Sequence, residues 1–147
     1  MTKKSFLPLV RELVRCYQAF ESHSARHVRA MGLTPPQFDI VATLGNTDGM
    51  SFKELGEKTL ITKGTLTGVV DRLEAKRLVS RSASPTDGRS QIVRLTAKGE
   101  KLFNETFPAH IDHVGHAFAA YSTAELNQAE ASLRQLRGAL EGTGKSS

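Results

Sequence analysis

Residues 62–94 carry the clearest structural signal of this chain, and they read TKGTLTGVVDRLEAKRLVSRSASPTDGRSQIVR. In the first half of this stretch, apolar side chains recur at the spacing of one helix face, at Leu66, Val69, Val70 and Leu73. The pattern predicts a helix over residues 63–76 that buries this side. The opposite side then carries mainly small and polar residues, namely Gly64, Thr67, Gly68, Asp71 and Ala75, with Arg72 beside them.

The second half of the stretch changes its period. Short alternating segments at 79–81 and 92–94 flank a run that contains Pro85, Asp87 and Gly88. Alternation with turn residues between two segments is typical of a β-hairpin. We therefore expect a hairpin whose tip carries Arg89.

Two shorter helices are expected before this stretch. Thr34, followed by two prolines and Gln37, has the residues of a capping box, and Ser51 with Glu54 has the same pattern. They predict helices over about 34–44 and 51–59. The helix over 51–59 and the helix over 63–76, followed by the basic hairpin, form a winged helix-turn-helix, and the helix over 63–76 is the one that fits the major groove of DNA.

Both ends of the chain predict longer helices with one apolar seam each. Residues 6–20 repeat apolar side chains at steps of four and three, and residues 103–118 and 126–140 do the same. The expected fold is mainly α-helical with a small β-hairpin wing. Residues 1–34 and 97–141 would form a helical dimerisation region, residues 35–96 the DNA-binding domain, and residues 142–147 a disordered tail.

Charge supports a polyanion-binding centre. The net charge is +5. Residues 51–101 hold eleven Lys and Arg against six Asp and Glu, a surplus of five, while the excess of two in residues 1–50 cancels the deficit of two in residues 102–147. A basic middle on a neutral scaffold is what a nucleic-acid-binding module shows.

Several function classes find no support in the sequence. The apolar runs are too short for a membrane span, and the N-terminus does not resemble a signal peptide. The single cysteine, Cys16, fits the reducing cytoplasm. No nucleophile elbow, P-loop or dinucleotide fingerprint occurs, and the glycines of residues 142–145 lack the strand and helix of a phosphate loop. We expect neither an enzyme nor a cofactor.

The residues in these motifs suggest how DNA would be held. The start of the predicted helix, at Thr62 and Lys63, offers free N–H groups and the positive end of the helix dipole to a phosphate. Arg81 and Arg89 could reach the neighbouring minor groove or backbone. Asp87 is unfavourable beside DNA, so we expect it to hold the hairpin tip or to orient Arg89 by a hydrogen bond.

At these residues the sequence resembles the MarR family of bacterial regulators (multiple antibiotic resistance regulators). The similarity runs over residues 32–99. It is carried by the segments GLTPPQF at 32–38, FKELG at 52–56, TKGTLT at 62–67, VDRLE at 70–74, LVSR at 78–81, DGR at 87–89 and LTAKG at 95–99.

The resemblance implies a cytoplasmic homodimer with interleaved terminal helices, in which two winged domains bind a palindromic operator. Such regulators are mostly repressors that a small molecule, a metal or oxidation releases from DNA. The implied DNA contacts are Lys63, Gly64, Thr65, Thr67, Gly68 and Arg72 in the groove, and Arg81 and Arg89 on the wing. The site predicted from the residues adds Thr62 at the helix start and Asp87 at the hairpin tip. Two positions depart from the family pattern. Gly68 stands where arginine is frequent, so one groove contact is missing or moved. Arg77 replaces a helix-ending glycine, so that turn is expected to take another geometry.

The effector is less well defined by the residues. A small aromatic or phenolic acid would bind between the dimer helices and the winged domain, with Arg11, Arg15, His23 and Arg26 facing it. Cys16 is expected to be a buried, inert thiol rather than an oxidant sensor. The histidines, His23 and His27 on the first helix and His110, His113 and His116 on the fifth, are expected to be structural rather than a metal site. A metal- or oxidant-responsive regulator and a helical dimerisation protein that does not bind DNA are the alternatives.

Overall fold

The computed structural model of the protein describes residues 4–144, and side chains through residue 142. Six helices and three strands follow one another along the chain. They are α1 (Leu7–Ala30), α2 (Pro35–Leu44), β1 (Met50–Ser51), α3 (Phe52–Lys58), α4 (Lys63–Ala75), β2 (Val79–Ala83), β3 (Gln91–Leu95), α5 (Ala97–His116) and α6 (Thr123–Gly144). The mainly helical fold class and the β2–β3 hairpin are confirmed.

The sheet contains one strand that the sequence pattern did not predict. β3 lies in the centre and pairs antiparallel with β2 on one side and with β1 on the other. Met50 lies opposite Val93 across β1 and β3, and Arg81 lies opposite Val93 across β2 and β3. β1 has only two residues, which is too short for an alternating pattern to reveal. It joins α3 to the root of the hairpin.

The helix starts follow the predicted caps. The Thr34 hydroxyl accepts from the Gln37 amide at 3.3 Å, and the Gln37 side chain accepts from the Thr34 amide at 3.2 Å. Ser51 and Glu54 form the same reciprocal pair at the start of α3. These capping boxes satisfy N–H groups that a helix start otherwise leaves unpaired.

The end of α4 corrects one expectation. Arg77 takes a φ of +63°, the left-handed conformation that glycine favours, so the turn keeps the usual geometry without the glycine. The Leu78 amide donates to the Leu73 carbonyl at 3.0 Å, and the Arg77 amide donates to the Glu74 carbonyl at 2.9 Å. These two bonds define a Schellman motif, which satisfies the last carbonyls of the helix and turns the chain into β2.

The hydrophobic core lies within residues 28–103. Ile40, Leu55, Leu73 and Val93 have no exposed surface, and together they join α2, α3, α4 and the sheet. The winged part therefore carries the buried apolar contacts that hold its helices in place.

The chain divides into two units, Met1–Val114 and Gly115–Ser147. The first contains the predicted DNA-binding domain, α1 and most of α5, and the second contains α6. Helix α6 continues to Gly144, so the prediction of a disordered tail is wrong for residues 142–144, and residues 145–147 lie outside the described part. Among the described residues, none of the helices combines the length and hydrophobicity that a bilayer crossing requires.

Candidate nucleic-acid interface

Helix α4 presents a polar face to solvent, as its sequence period predicts. Leu66, Val69, Val70 and Leu73 are buried on one side and pack in the core. The residues of the exposed side are Thr62, Lys63, Gly64, Thr65, Thr67, Asp71 and Arg72, and Gly68 is half-buried. Most of the predicted groove contacts therefore lie on one accessible surface. The helix is not covered by the described part of its own chain.

The start of α4 differs from the starts of α2 and α3. Thr62 occupies the N-cap position, but its hydroxyl donates to the Thr65 hydroxyl at 3.1 Å instead of accepting from a backbone amide. The first turn also contains no acidic side chain. The positive end of the helix dipole at the start of α4 is therefore not compensated by a carboxylate in the first turn.

Gly68 and Arg72 lie one turn apart and are close in space. Outside the backbone of the helix itself, the atom nearest to a Cβ at Gly68 would be the Arg72 guanidinium nitrogen Nη1, at 3.9 Å. The Arg72 side chain therefore runs back toward the start of α4, as helical side chains do. The guanidinium therefore lies near Gly68.

Arg81 connects the hairpin to α4. From β2, its guanidinium donates through Nη2 to Asp71 and through Nε to Glu74 at 3.2 Å, and it lies 5.9 Å from the centre of the Phe52 ring. The hydrogen bonds to Asp71 and then to Glu74 raise the pKa of Arg81. Only 19% of its side chain is exposed. The DNA contact assigned to Arg81 stays a prediction, but in this conformation its donors hold the wing against α4.

The pairing of Arg81 with Asp71 and Glu74 was not foreseen. The sequence placed Asp71 on the exposed side of α4 without a role. An acidic residue on a face expected to meet DNA does indicate that a basic side chain of the same protein pairs with it, because an unpaired carboxylate would repel phosphate. The pattern does not show which arginine it meets.

The tip of the wing is organised by Asp87, as expected. Its carboxylate accepts from the Arg89 backbone amide at 3.0 Å and from the Ser90 hydroxyl at 3.3 Å. The Asp87 carbonyl also accepts from the Ser90 amide at 3.0 Å. Asp87 thus folds the turn through the backbone of Arg89, and the Arg89 side chain is exposed.

The residues predicted to face an effector do not line the cavity beside α1, and their assignment stays a prediction. A cavity of about 880 Å³ lies against the second half of α1, and its described lining does not include Arg11, Arg15, His23 or Arg26. Its polar and aromatic lining instead includes Tyr17, Glu21, Arg29, Phe38, Asp39 and His110. Arg11 and Arg15 precede the first lining residue, and Arg26 and His23 lie on other sides of the helix at 100° per residue.

Two chemical features of the cavity stand out. Arg29 is the one lysine or arginine among the described lining residues. Burial raises the pKa of the Asp39 carboxyl, although the Leu60 amide donates to it at 3.1 Å and acts in the opposite direction. The cavity therefore combines one cation, Arg29, and two carboxyl groups, Glu21 and Asp39, with aromatic and apolar walls. Only the tertiary arrangement of α1, α2 and α5 reveals this set.

The remaining sensing candidates are placed as follows. Cys16 is exposed on α1, so the expectation of a buried thiol is wrong. His23, His27, His110 and His113 stack between α1 and α5. Within residues 4–144, no group of three or more His, Cys, Asp or Glu side chains is arranged to hold a metal ion.

Known proteins share this architecture. The MarR family model matches residues 31–90. The HTH-type transcriptional regulator MhqR of Bacillus subtilis is 34% identical over 92% of this chain and 93% of its own length. The Streptomyces coelicolor MarR family transcriptional regulator Sco3205, solved in complex with DNA, superposes with a TM-score of 0.83 at 24% identity, over 95% of this chain and 89% of its own.

A third comparison concerns regulation. The structure of Bordetella bronchiseptica BpsR, described for the regulation of its DNA binding by 6-hydroxynicotinic acid, superposes with a TM-score of 0.77 at 25% identity. It covers 93% of this chain and 96% of that one. Sequence identity and fold agree over nearly the whole length of both chains. The protein belongs to the MarR family of winged helix-turn-helix transcriptional regulators.

Proposed function

We propose that this regulator binds a palindromic operator as a homodimer, with α4 in the major groove and the β2–β3 wing on the adjacent backbone or minor groove. One observation carries the proposal. The polar face of α4 is exposed beside a hairpin that Arg81 ties to the same helix. This surface carries Lys63, Arg72 and Arg89, and a single helix is an element that the major groove admits.

The first turn of α4 would approach the DNA backbone. Lys63 supplies a positive charge there, and the free helix start accepts an anion. Gly64 has open space where a side chain would lie, so the backbone can come close to a phosphate. Thr65 and Thr67 add hydroxyl groups that can donate to phosphate oxygens or base edges.

Arg72 would supply the central groove contact. Its guanidinium lies over Gly68, so we assign to it the position that an arginine at residue 68 would otherwise fill. A guanidinium can donate two hydrogen bonds to the O6 and N7 atoms of guanine. Substituting Arg72 is therefore expected to relax the sequence preference, whereas substituting Lys63 is expected to weaken binding to all sequences alike.

The wing would use Arg89. Asp87 fixes the backbone of this residue, while its side chain stays exposed at the tip. A narrow minor groove attracts arginine through its negative potential. Asp87 then serves DNA binding by shaping the turn rather than by touching DNA.

The homodimer is proposed from apolar side chains that remain exposed. On α1 these include Leu7, Val10, Val14 and Phe20, each at least 45% exposed. In the second unit they include Phe118, Tyr121 and Leu133, each at least 46% exposed. Large exposed apolar patches mark interaction surfaces, and the heptad-like spacing suits helix packing against a second copy.

We further propose that a small aromatic acid releases the protein from DNA by binding the cavity beside Arg29. The volume of about 880 Å³ lies in the range of small-molecule sites. Arg29 can pair with a carboxylate, and Phe38 and Tyr17 can contact an aromatic ring. The regulation of BpsR by 6-hydroxynicotinic acid makes that compound the first probe. Occupied operators would exclude RNA polymerase, so the expected outcome is repression, in the cytoplasm where bacterial DNA lies.

Gel retardation tests the proposal with a duplex from the region upstream of the coding sequence. We expect salt-sensitive, sequence-selective retardation. Arg89→Ala should weaken binding about tenfold and lower the salt slope by about one. Arg134→Ala, which removes an exposed arginine of α6, is the matched control and should bind normally. Absence of retardation would refute the regulator mechanism, and unchanged affinity of Arg89→Ala would refute the wing assignment.

A further inference from the structure

Four histidines form a continuous ladder between α1 and α5. The ring centre of His113 lies 4.2 Å from that of His23 and 4.4 Å from that of His27, and the interplanar angles are 14° and 9°. His27 in turn stacks on His110 at 5.2 Å, and the Phe38 ring closes the far end at 4.6 Å from His110. The DNA-binding surface does not use any of these rings.

Hydrogen bonds connect the ladder to both helices. The His23 Nε2 atom lies 3.2 Å from the His113 carbonyl, and the His113 Nε2 atom lies 3.0 Å from the His23 carbonyl. A carbonyl can only accept, so both Nε2 atoms carry protons. When these two rings are neutral, their Nδ1 atoms are unprotonated, and a further proton makes a cation within the stack.

At the other end of the ladder, the contact between His27 and His110 excludes the state in which both rings are fully protonated. The Nδ1 atoms of His27 and His110 lie 3.0 Å apart, and His110 Nε2 lies 3.2 Å from the Ser24 hydroxyl. One Nδ1 atom must donate and the other must accept. If both rings were fully protonated, two N–H groups would point at each other and this bond would be lost.

The surroundings do not compensate added charge. Among the described residues, no acidic side chain forms a salt bridge with a ladder histidine. The neighbouring Arg26 on α1 and Asp112 on α5 are exposed, and Asp39 on α2 accepts its hydrogen bond from the Leu60 amide. Burial, followed by the charges of the other ladder histidines, lowers the pKa of both His27 and His110.

The lowered pKa of His27 and His110 determines how the packing of α1 against α5 responds to pH. A histidine that binds protons less well when packed contributes stability fully above its ordinary pKa of about 6.5, and this contribution is lost as the pH falls through the lowered value. Acidification therefore opposes the packing of α1 against α5. α1 leads through the turn at Gly32 into α2, and α5 follows β3 directly, so both helices connect to the winged part.

We propose that the histidine ladder makes DNA binding by this regulator proton-dependent: protonation at the end of the ladder where His27 and His110 share a hydrogen bond loosens α1 from α5 and weakens operator binding. The inference rests on the proposed function, because it needs DNA binding as the output. It predicts that acidification weakens DNA binding, which is opposite to the effect expected from net charge alone. A protein that gains positive charge on acidification should otherwise bind DNA more tightly.

The test measures the affinity of the full-length protein for a fluorescent duplex from its own upstream region, at about pH 7.5 and about pH 5.5 and constant ionic strength. The wild type should bind about tenfold more weakly at the lower pH, within the usual range of coupling between sites. His27→Phe keeps a ring between His110 and His113 but cannot take a proton, so the change should fall to about threefold or less. His116→Gln, on the same helix as His110 and His113, is the matched control and should behave like the wild type.

Histidine NMR titration of the wild type provides a measurement that needs no variant. At least two of the five Cε1–H resonances should titrate below about pH 6.5, and their assignment follows from the resonances lost in His27→Phe and His110→Phe. Equal or tighter DNA binding by the wild type at the lower pH would overturn the inference, as would five resonances that titrate at or above 6.5. Absence of binding at both pH values would instead refute the proposed function, and the proton-linked output with it.

Discussion

The pairs that Arg81 forms with α4 permit a prediction that distinguishes two roles of this residue: positioning the wing, or contacting phosphate directly. Replacing Arg81 by alanine removes its pairs with Asp71 and Glu74 and its contact with the Phe52 ring. The two carboxylates are 56% and 46% exposed, so each pair is worth about 0.2–1 kcal/mol, and the cation–π contact adds about 0.5–1 kcal/mol. We expect a loss of roughly 1–3 kcal/mol in the free energy of unfolding.

The affinity for DNA should fall together with the stability, because β2 loses its attachment to α4. We expect about a tenfold loss for Arg81→Ala, equivalent to ~1.4 kcal/mol. The informative variant is Asp71→Asn. Removing a negative charge near a phosphate surface raises affinity if only electrostatics acts, but it lowers affinity if the Arg81–Asp71 pair positions the wing.

Fluorescence anisotropy over a range of salt concentrations, together with urea unfolding, separates these possibilities. A positioning role predicts weaker binding by Asp71→Asn, and a salt slope for Arg81→Ala within about half a unit of the wild-type value. Tighter binding by Asp71→Asn, together with a slope reduced by about one in Arg81→Ala, would show that Arg81 contacts phosphate directly and would refute the positioning role. Lys53→Ala, an exposed substitution on α3, controls for the loss of a positive charge.

Three further outcomes test other parts of the structure. Arg77→Gly should raise the free energy of unfolding by about 0.5–1 kcal/mol. The left-handed conformation costs about 1–2 kcal/mol for a residue with Cβ, and the flexibility of glycine in the unfolded chain offsets part of that gain. Urea unfolding of this variant and of Arg77→Ala checks the prediction, and a glycine variant no more stable than the alanine variant would contradict it. Gly99→Ala should destabilise the protein by about 1–3 kcal/mol, since its Cβ would overlap the Leu78 carbonyl oxygen, and an unchanged melting temperature would contradict that packing. Arg29→Ala should weaken binding of 6-hydroxynicotinic acid about tenfold or more in calorimetric titration, whereas Arg26→Ala, outside the cavity lining, should bind normally; the reverse result would move the effector site.

The sequence predicted the helices and the hairpin because each has a local cause. Thr34 and Ser51 mark their helix starts by reciprocal bonds that span three residues. The spacing of Leu66, Val69, Val70 and Leu73 reports which side of α4 is buried. Such signals act over one or two turns, so a linear pattern contains them completely. The same reasoning placed Asp87 at the hairpin tip.

The contacts between distant segments depended on the tertiary structure. The DNA contact predicted for Arg81 is untested, but its pairing with Asp71 and Glu74 could not be predicted, because it depends on β2 returning alongside α4. The residues predicted on α1 to face an effector do not line the cavity, whose walls come from three helices and from Leu60 and Ile61 between α3 and α4. Arg77 was expected to change its turn, but the two backbone bonds at the end of α4 hold it in the left-handed region.

The chain alone therefore determined where each helix and the two hairpin strands lie and which side of α4 stays polar, since hydrogen-bonded caps and apolar periods are local properties of neighbouring residues. Only folding decided which side chains meet across elements. His23 and His113 are 90 residues apart, and the approach of α1 to α5 brings their rings to 4.2 Å. Pairing of this kind depends on how packed helices are oriented, which no local spacing specifies.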